Sequence, residues 1–244
     1  MRINRTLSCG ELMKDITTPE KNKNIKLSKS NPSIILPTKN DLWNPFKECF
    51  YSITDKRLEV NNETINNLKT LFFYFTKDDS FFGCENLRKD ISKPRFDKGL
   101  LIIGNYGIGK TAYLKAFEKL FRFYTPLRFK GYSSMELVRM YENISSPVEK
   151  ELFFHNMERK CLYIDDLDAE KNASNFGITN VVKEVLSLRY EKSLLTFASC
   201  NYSSSDLCVE QTMESFIERY GNRIYDRMFD MFNVIEFKGK SKRR

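Results

Sequence analysis

The residues best suited to chemistry lie in a glycine-rich segment that matches the pattern G-x-x-x-x-G-K-[ST] at every fixed position. An apolar run at 100–103 precedes this segment, and a helical pattern of apolar residues follows it directly. A strand, a glycine loop and a helix form the setting in which backbone N–H groups at a helix N-terminus hold a phosphate. The candidate phosphate-binding residues are Gly104, Asn105, Tyr106, Gly107, Ile108, Gly109, Lys110 and Thr111.

Two side chains of this loop have predicted roles of their own. Lys110 brings a compact positive charge to the β- and γ-phosphates of a nucleotide, and Thr111 offers its hydroxyl to Mg²⁺. The predicted cofactors are therefore ATP and Mg²⁺. The alternative is a glycine-rich turn without a ligand, which the flanking strand and helix disfavour.

A second candidate segment begins at Lys160 and continues as the apolar run 161–164, which leads into adjacent carboxylates. Asp165 is the candidate metal ligand, holding Mg²⁺ through water, and Asp166 is the candidate general base that polarises the attacking water. A strand that ends in a solvated acidic turn is the alternative, and the phosphate loop upstream disfavours it. Because Asp is shorter than Glu, slow hydrolysis is one expectation for a base at this position.

A third candidate is Asn201, which ends the apolar strand predicted at 193–201. Its side chain is suited to a hydrogen bond with the γ-phosphate or with the attacking water. The alternative role is to cap the helix that follows, since Asn is a preferred N-cap residue.

The elements that must position these residues are strands and helices in alternation. Five apolar strands predict an α/β fold with a doubly wound, five-stranded parallel sheet and helices on both faces. A whole strand lies between the phosphate-loop strand and the acidic strand, which is typical of additional-strand (ASCE) P-loop NTPases with strand order 5-1-4-3-2. Ligands bind at the carboxyl ends of such strands. The predicted strands are 99–103, 127–132, 160–168, 193–201 and 233–237, and one predicted helix is 176–190.

The net charge of +8 is concentrated at the two ends of the chain. Residues 1–40 hold eight Lys or Arg and three Asp or Glu, and residues 238–244 hold five Lys or Arg and no acid. Such tails are suited to nucleic acid or to an acidic partner, and solvated flexible ends are the alternative.

The composition also disfavours several classes of protein. The six cysteines are scattered without a C-x-x-C pair and there is a single His, so a zinc site is not expected. No apolar run approaches the ~20 residues that span a membrane, and residues 1–10 lack the apolar core of a secretory signal. A reduced, cytoplasmic setting is expected.

Two regions are predicted along the chain. Residues 1–55 are expected to be partly disordered and to bind a partner, and residues 56–244 to form the ATPase domain. Two apolar islands, 33–37 and 41–51, interrupt the polar N-terminal region. These islands are suited either to a partner or to packing on their own domain.

The order of the motifs resembles that of AAA+ ATPases of the DnaC/IstB type, which are bacterial replicative helicase loaders and transposition helper ATPases. The resemblance covers about 98–243. The glycine loop is similar to their Walker A motif. The segment 163–170 is similar to their Walker B motif, with Asp168 in place of a Gly, and 199–201 resembles their sensor 1.

Two arginines receive roles from this resemblance. The segment 220–228 resembles the family's arginine-finger segment, which maps the finger onto Arg223, with Asn222 in place of an acid. The segment 239–243 resembles the family's terminal G-x-S-x-R, which makes Arg243 a candidate nucleotide-binding residue of the sensor 2 kind.

The resemblance implies an AAA+ fold without a separate lid domain and an ATPase that acts in DNA replication as a helicase loader. It implies a replicative helicase or a transposase as the protein partner, single-stranded DNA as the nucleic acid, and a homo-oligomer when ATP is bound. A transposition helper of the IstB type is one alternative. The other is a nucleotide-gated scaffold that does not hydrolyse ATP.

Overall fold

A parallel sheet of five strands forms the middle layer of the computed structural model, which describes residues 37–175 and 177–243. With strands numbered in chain order, the sheet runs β2-β3-β6-β1-β7, and every neighbouring pair is parallel. Renumbered among themselves, these five strands have the order 5-1-4-3-2, which confirms the predicted sheet. The strands are β1 (Gly99–Gly104), β2 (Lys130–Ser133), β3 (Cys161–Leu167), β6 (Leu195–Cys200) and β7 (Phe232–Phe237).

Helices cover both faces of the sheet, as predicted. The two faces are packed by alternate residues of the strands: Leu100 and Ile102 contact one apolar cluster, and Leu101 and Ile103 contact the other. Within the described ranges, no helix combines the length and apolarity needed to cross a membrane. The helices are α1 (Lys39–Thr54), α2 (Asn62–Phe75), α3 (Lys110–Leu120), α4 (Ser134–Glu142), α5 (Pro147–Met157), α6 (Val181–Glu191), α7 (Val209–Tyr220) and α8 (Asn222–Met231).

The position of β1 between β6 and β7 explains its sequence. All six of its residues are buried, because helices lie above and below and a strand lies on each side. A strand buried on both faces reads as a continuous apolar run rather than as an alternating one. Its carboxyl end leads directly into the glycine loop and α3.

Two predicted elements differ from the structure at their starts. The strand predicted at 127–132 begins at Lys130, because 3₁₀ turns occupy 121–123 and 125–127, and Pro126 has no N–H to donate to a sheet. The helix predicted at 176–190 begins at Val181, after the antiparallel hairpin β4 (Ala173–Ser174) and β5 (Ile178–Thr179). Asn180 caps α6, since its side chain accepts a hydrogen bond from the N–H of Lys183 at 3.0 Å.

The aromatic island at 41–51 packs on its own domain, which was one of its two predicted roles. It lies in α1, whose Phe46 is fully buried, with ring centroids 4.6 Å from Phe117 of α3 and 5.3 Å from Phe72 of α2. The other island falls on 33–37, of which 33–36 lie outside the described residues. The predicted disordered region also falls mainly outside them, at 1–36.

Removal of the Phe46 ring tests whether α1 is part of the ATPase fold. Phe46→Ala is expected to lower the free energy of unfolding by about 3–5 kcal/mol, because it leaves a cavity between α1, α2 and α3. Tyr51→Ala, at an exposed position of the same helix, is the control and is expected to change it by less than about 0.5 kcal/mol. Urea unfolding measures both variants. Equal midpoints for Phe46→Ala and wild type would show that α1 does not contribute to the fold.

Candidate nucleotide-binding site

The glycine loop has a backbone that two of its glycines make possible. Gly107 has φ +75° and Gly109 has φ +105°, a region that residues with a Cβ rarely adopt. Gly109 is the N-cap residue of α3, so the free N–H groups of the first helical turn point toward the loop. The loop therefore has the local geometry of an anion-binding helix N-terminus.

The other loop residues build and anchor this turn. Ile108 is buried in the apolar cluster beneath the loop, and the Asn105 side chain accepts a hydrogen bond from the N–H of Tyr106 at 2.7 Å. A Cβ at Gly104 would lie 2.6 Å from the main-chain oxygen of Phe237, so β7 approaches too closely for any other residue. The Tyr106 ring is largely exposed.

The ammonium group of Lys110 is buried and is held by three neutral oxygen atoms. Its Nζ donates to the main-chain oxygens of Gly104 at 2.6 Å and Asn105 at 2.9 Å, and to Oδ1 of Asn201 at 2.8 Å. Burial lowers the pKa of Lys110, because the cation has lost most of its water. An anion at the loop would restore the missing charge partner, so this arrangement favours phosphate binding.

Three hydroxyl groups converge on one carboxylate oxygen of Asp165. Its Oδ1 accepts hydrogen bonds from Thr111 at 3.1 Å, from Ser199 at 2.5 Å and from Tyr163. The structure thus brings together the predicted metal-binding pair, Thr111 and Asp165. A hydroxyl and a carboxylate are hard oxygen donors of the kind that Mg²⁺ takes beside phosphates, so these residues fit the ion.

The backbone at Asp166 is irregular. The pairing of β3 with β6 shifts register between Ile164 and Leu167, and Asp166 has φ +54°. This irregularity is held by Ser134, which donates to the main-chain oxygen of Asp166 at 2.6 Å, and by Ser199, which accepts from its N–H at 3.3 Å. A bulge of this kind changes the direction in which the side chains of a strand point.

The carboxyl group of Asp166 has a raised pKa. Partial burial is the main cause and the neighbouring Asp165 is the second, while Lys110 and Arg243 lower the pKa and partly offset them. A carboxylate that binds a proton more readily than usual is a better general base than an ordinary surface Asp.

The candidate Arg243 lies beside the glycine loop, in the tail that follows β7. The N–H of Lys242 donates to the main-chain oxygen of Gly107 at 2.9 Å. A Cβ on Gly107 would meet Ser241 Oγ at 2.3 Å and Arg243 Cγ at 3.3 Å, so the tail lies directly on the loop. The Lys242 ammonium bonds to Tyr113, on the first turn of α3, at 2.7 Å.

The structure does not bring Arg223 into the cluster around Lys110. Arg223 lies on the first turn of α8, its side chain is 77% exposed, and its ion-pair partner is Glu191 of α6 at 3.9 Å. Arg227, four residues later, differs because it is buried, with Nη1 2.9 Å from Ser187 Oγ and its guanidinium over the Tyr190 ring. Of the two arginines, Arg223 has the side chain that extends into solvent.

Sequence reasoning missed two residues of the site, Tyr163 and Ser199. Both hydrogen-bond to Asp165, and Tyr163 OH lies 3.1 Å from Ser199 Oγ. Burial and the Asp165 charge raise the pKa of Tyr163 well above its ordinary value, so the phenol keeps its proton and donates it. The two-residue period of side chains along a β-strand gave a usable signal. Tyr163 is two residues before Asp165 and Ser199 is two before Asn201, so each shares a face with a predicted site residue.

Comparison with solved structures places this site on a known fold. The crystal structure of the DnaC helicase loader matches with a TM-score of 0.51 and 17% identity, over 78% of this chain and 98% of that one. The chain shares its fold with that helicase loader. A crystal structure of DnaI matches with a TM-score of 0.49 and 22% identity, over 81% of this chain and 93% of that one.

The shared fold agrees with the predicted α/β architecture and with the resemblance to ATPases of the DnaC/IstB type. No family model matches the chain, and no curated protein matches its sequence. At these identities the comparison establishes the fold alone.

Replacement of Asp166 tests the electrostatics of the site without a nucleotide. Its raised pKa means that the folded wild type holds a proton that the unfolded chain releases above about pH 3.8. Wild-type stability therefore falls as pH rises from 3.8 through the folded pKa, and Asp166→Asn lacks this fall. The variant is expected to melt at a higher temperature than wild type at pH 7, with a gain that shrinks toward pH 4.

Asp226→Asn is the control, since Asp226 is exposed on α8. Melting temperatures of nucleotide-free protein, measured from pH 4 to pH 8, give the comparison. If Asp166→Asn melts below wild type at pH 7, the Asp166 carboxylate stabilises the fold, and the expected destabilisation by its burial is wrong.

Proposed function

We propose that this chain is a Mg²⁺-dependent ATPase of the AAA+ type. The proposal is carried by one observation: Lys110, Thr111, Asp165 and Asn201 meet at the carboxyl ends of three adjacent parallel strands. Ligands of open α/β sheets bind at that edge. The four side chains supply a cation, a hydroxyl, a carboxylate and an amide, which are the groups that phosphoryl transfer uses.

Each residue of the site has a distinct part in the proposed reaction. The loop N–H groups and Lys110 bind the phosphates, and Lys110 exchanges the Asn201 oxygen for phosphate oxygens. Thr111 and Asp165 would hold Mg²⁺, which when bound supplies charge neutralisation on the phosphates. Asp166 accepts a proton from the attacking water, and Asn201, freed from Lys110, orients that water or the γ-phosphate.

The remaining charge is supplied by Arg223 of a neighbouring subunit. An exposed arginine on a fixed helix end is suited to a site in another molecule, where it would stabilise the charge of the transferring phosphoryl group. Assembly of a homo-oligomer or filament in the presence of ATP is therefore part of the proposal, because each site is incomplete without a neighbour.

The biological role that we propose is that of a helicase loader. The fold shared with the DnaC helicase loader supports it, as do the exposed basic residues Lys238 and Lys240 that follow β7. The partners would be a replicative helicase and single-stranded DNA, with the part of the N-terminal region 1–55 that precedes α1 contacting the protein partner. A transposition helper that assembles on duplex DNA and a non-hydrolysing scaffold are the competing outcomes of the test.

ATP turnover is the first test of this function. Lys110→Ala is expected to lower turnover by at least about a hundredfold, because the buried cation binds the charge that develops on the phosphates. Lys115→Ala, an exposed position of α3, is the matched control and is expected to behave as wild type. Colorimetric phosphate release measures all three proteins without DNA, with single-stranded DNA and with duplex DNA.

The DNA dependence separates the three functions. Stimulation by single-stranded DNA supports the helicase loader, and stimulation by duplex alone supports the transposition helper. ATP binding without turnover under every condition would leave the scaffold and would remove Asp166 from the catalytic residues.

Arg223 is tested by substitution and by subunit mixing. Arg223→Ala is expected to bind ATP normally and to lose the turnover that rises with protein concentration, by at least about a hundredfold. Addition of Asp166→Asn subunits, which keep Arg223, is expected to restore part of that turnover. Arg122→Ala, an exposed arginine in the turn after α3, is the control. Normal concentration-dependent turnover in Arg223→Ala would rule out the assignment.

A further inference from the structure

A buried carboxylate lies just beyond the acidic residues of β3. Glu170 has a side chain that is 1% exposed. Its Oε1 accepts hydrogen bonds from Nε and Nη2 of Arg219 at 3.2 and 3.1 Å and from the Tyr220 hydroxyl at 2.9 Å. Nη2 of Arg219 also donates to the main-chain oxygen of Glu170 at 2.6 Å. The last two residues of α7 thus hold both the side chain and the backbone at this point.

The same two residues also hold the segment between Asp166 and Glu170. The N–H of Asp168 donates to the Tyr220 hydroxyl at 3.0 Å, and Arg219 Nε lies 3.7 Å from an Asp168 carboxylate oxygen. Asp168 is two residues past Asp166, and Glu170 is four residues past it. The backbone that follows the proposed general base is therefore fastened to the end of α7.

The other side of this contact leads to Arg223. Gly221 turns the chain with φ +84°, and Arg223 is the second residue of α8. The side-chain amide of Asn180 donates to the main-chain oxygen of Arg219 at 2.9 Å, which ties the corner between α7 and α8 to the start of α6. The corner is thus fixed at two points, while the Arg223 side chain extends into solvent.

Stability alone gives little reason for this buried pair. Apolar residues of similar volume often replace a buried ion pair without loss of stability. The second carboxylate oxygen of Glu170, Oε2, is buried with no hydrogen-bond partner among the described residues, and an unpaired buried acceptor is unfavourable. The ion pair does, however, make a short and directional link between two functional segments.

We propose that Glu170 is a positioning residue that links the acidic strand of a subunit's own site to the arginine which that subunit donates to its neighbour. The inference rests on the proposed function, in which Arg223 acts across a subunit interface. The path is short: Asp166 and Asp168 in β3 and its loop, then Glu170, then Arg219 and the corner that carries Arg223. A change at the acidic strand on nucleotide binding or hydrolysis moves Glu170, and Glu170 moves the corner.

Two equilibria are coupled in this arrangement. The state of a subunit's own nucleotide changes the placement of its arginine at the neighbouring site, and by linkage the engaged arginine changes the affinity of the first site for its nucleotide. Hydrolysis would then pass along an assembly in one direction, from each site to the next subunit's catalytic arginine.

Subunit mixing tests the proposal by placing Glu170→Gln on one side of an interface at a time. Arg223→Ala subunits serve as acceptors with intact sites, and Asp166→Asn subunits serve as donors with an intact Arg223. Glu170→Gln is added first to the donor and then to the acceptor. In the donor it is expected to lower kcat of the mixed assembly by about tenfold with KM for ATP unchanged, and in the acceptor to lower kcat by less than about twofold.

The outcomes distinguish a failure of the Glu170 link from a failure of the proposed role of Arg223. A loss of turnover in the acceptor arm but not in the donor arm would mean that Glu170 supports only its own site, which overturns the link. Equal turnover with and without Glu170→Gln in the donor would also overturn it. If donors with intact Glu170 do not restore the acceptors at all, the role of Arg223 in the proposed function fails, and the link fails with it.

Two further variants keep the test independent of folding. Tyr220→Phe removes only the hydroxyl that bonds Glu170 and Asp168. It is expected to show the same donor-specific loss, so it replaces Glu170→Gln in the test if that variant does not fold. Glu158→Gln removes the pair with Lys192, which has an N to O distance of 2.6 Å and lies outside this path. That control is expected to leave turnover unchanged in both arms.

Discussion

The structure depends on how the Lys110 cation is kept out of water. A buried ammonium group is stable only when its protons are accepted, and here the acceptors come from the end of β1, from the loop and from Asn201 after β6. These groups meet only if β1 and β6 are parallel neighbours with their carboxyl ends at one edge. Parallel neighbours require long crossover connections, which places helices over both faces of the sheet.

The acidic half of the site follows from the same arrangement. β3 lies on the other side of β6, so Tyr163 and Ser199 can both reach Asp165, and the first turn of α3 adds Thr111. The irregular pairing at Asp166 then separates two adjacent carboxylates into different surroundings. One accepts hydrogen bonds from three hydroxyl groups on a single carboxylate oxygen, and the other is partly buried and has a raised pKa. Environment, rather than residue type, thus gives the two aspartates different proton affinities and hydrogen-bond partners.

Much of this could be predicted from sequence, because the fixed spacing of the glycine loop and the runs of buried strands are local signals. The strand order and the meeting of Lys110, Thr111, Asp165 and Asn201 followed from them. The start of β2 and the hairpin before α6 did not, since a proline turn and two-residue strands leave no periodic pattern. The contact of Glu170 with α7 was also beyond reach, because it joins residues about fifty positions apart that no motif connects.

The most direct measurement is a crystal structure of the protein with Mg²⁺, ADP and beryllium fluoride, which together imitate bound ATP. We expect Lys110 to leave Asn201 and contact the fluoride group, Thr111 to bind the ion, and Arg223 of a neighbouring molecule to reach the same group. A nucleotide bound away from the glycine loop, or a bound nucleotide with Lys110 still on Asn201, would contradict the proposed function.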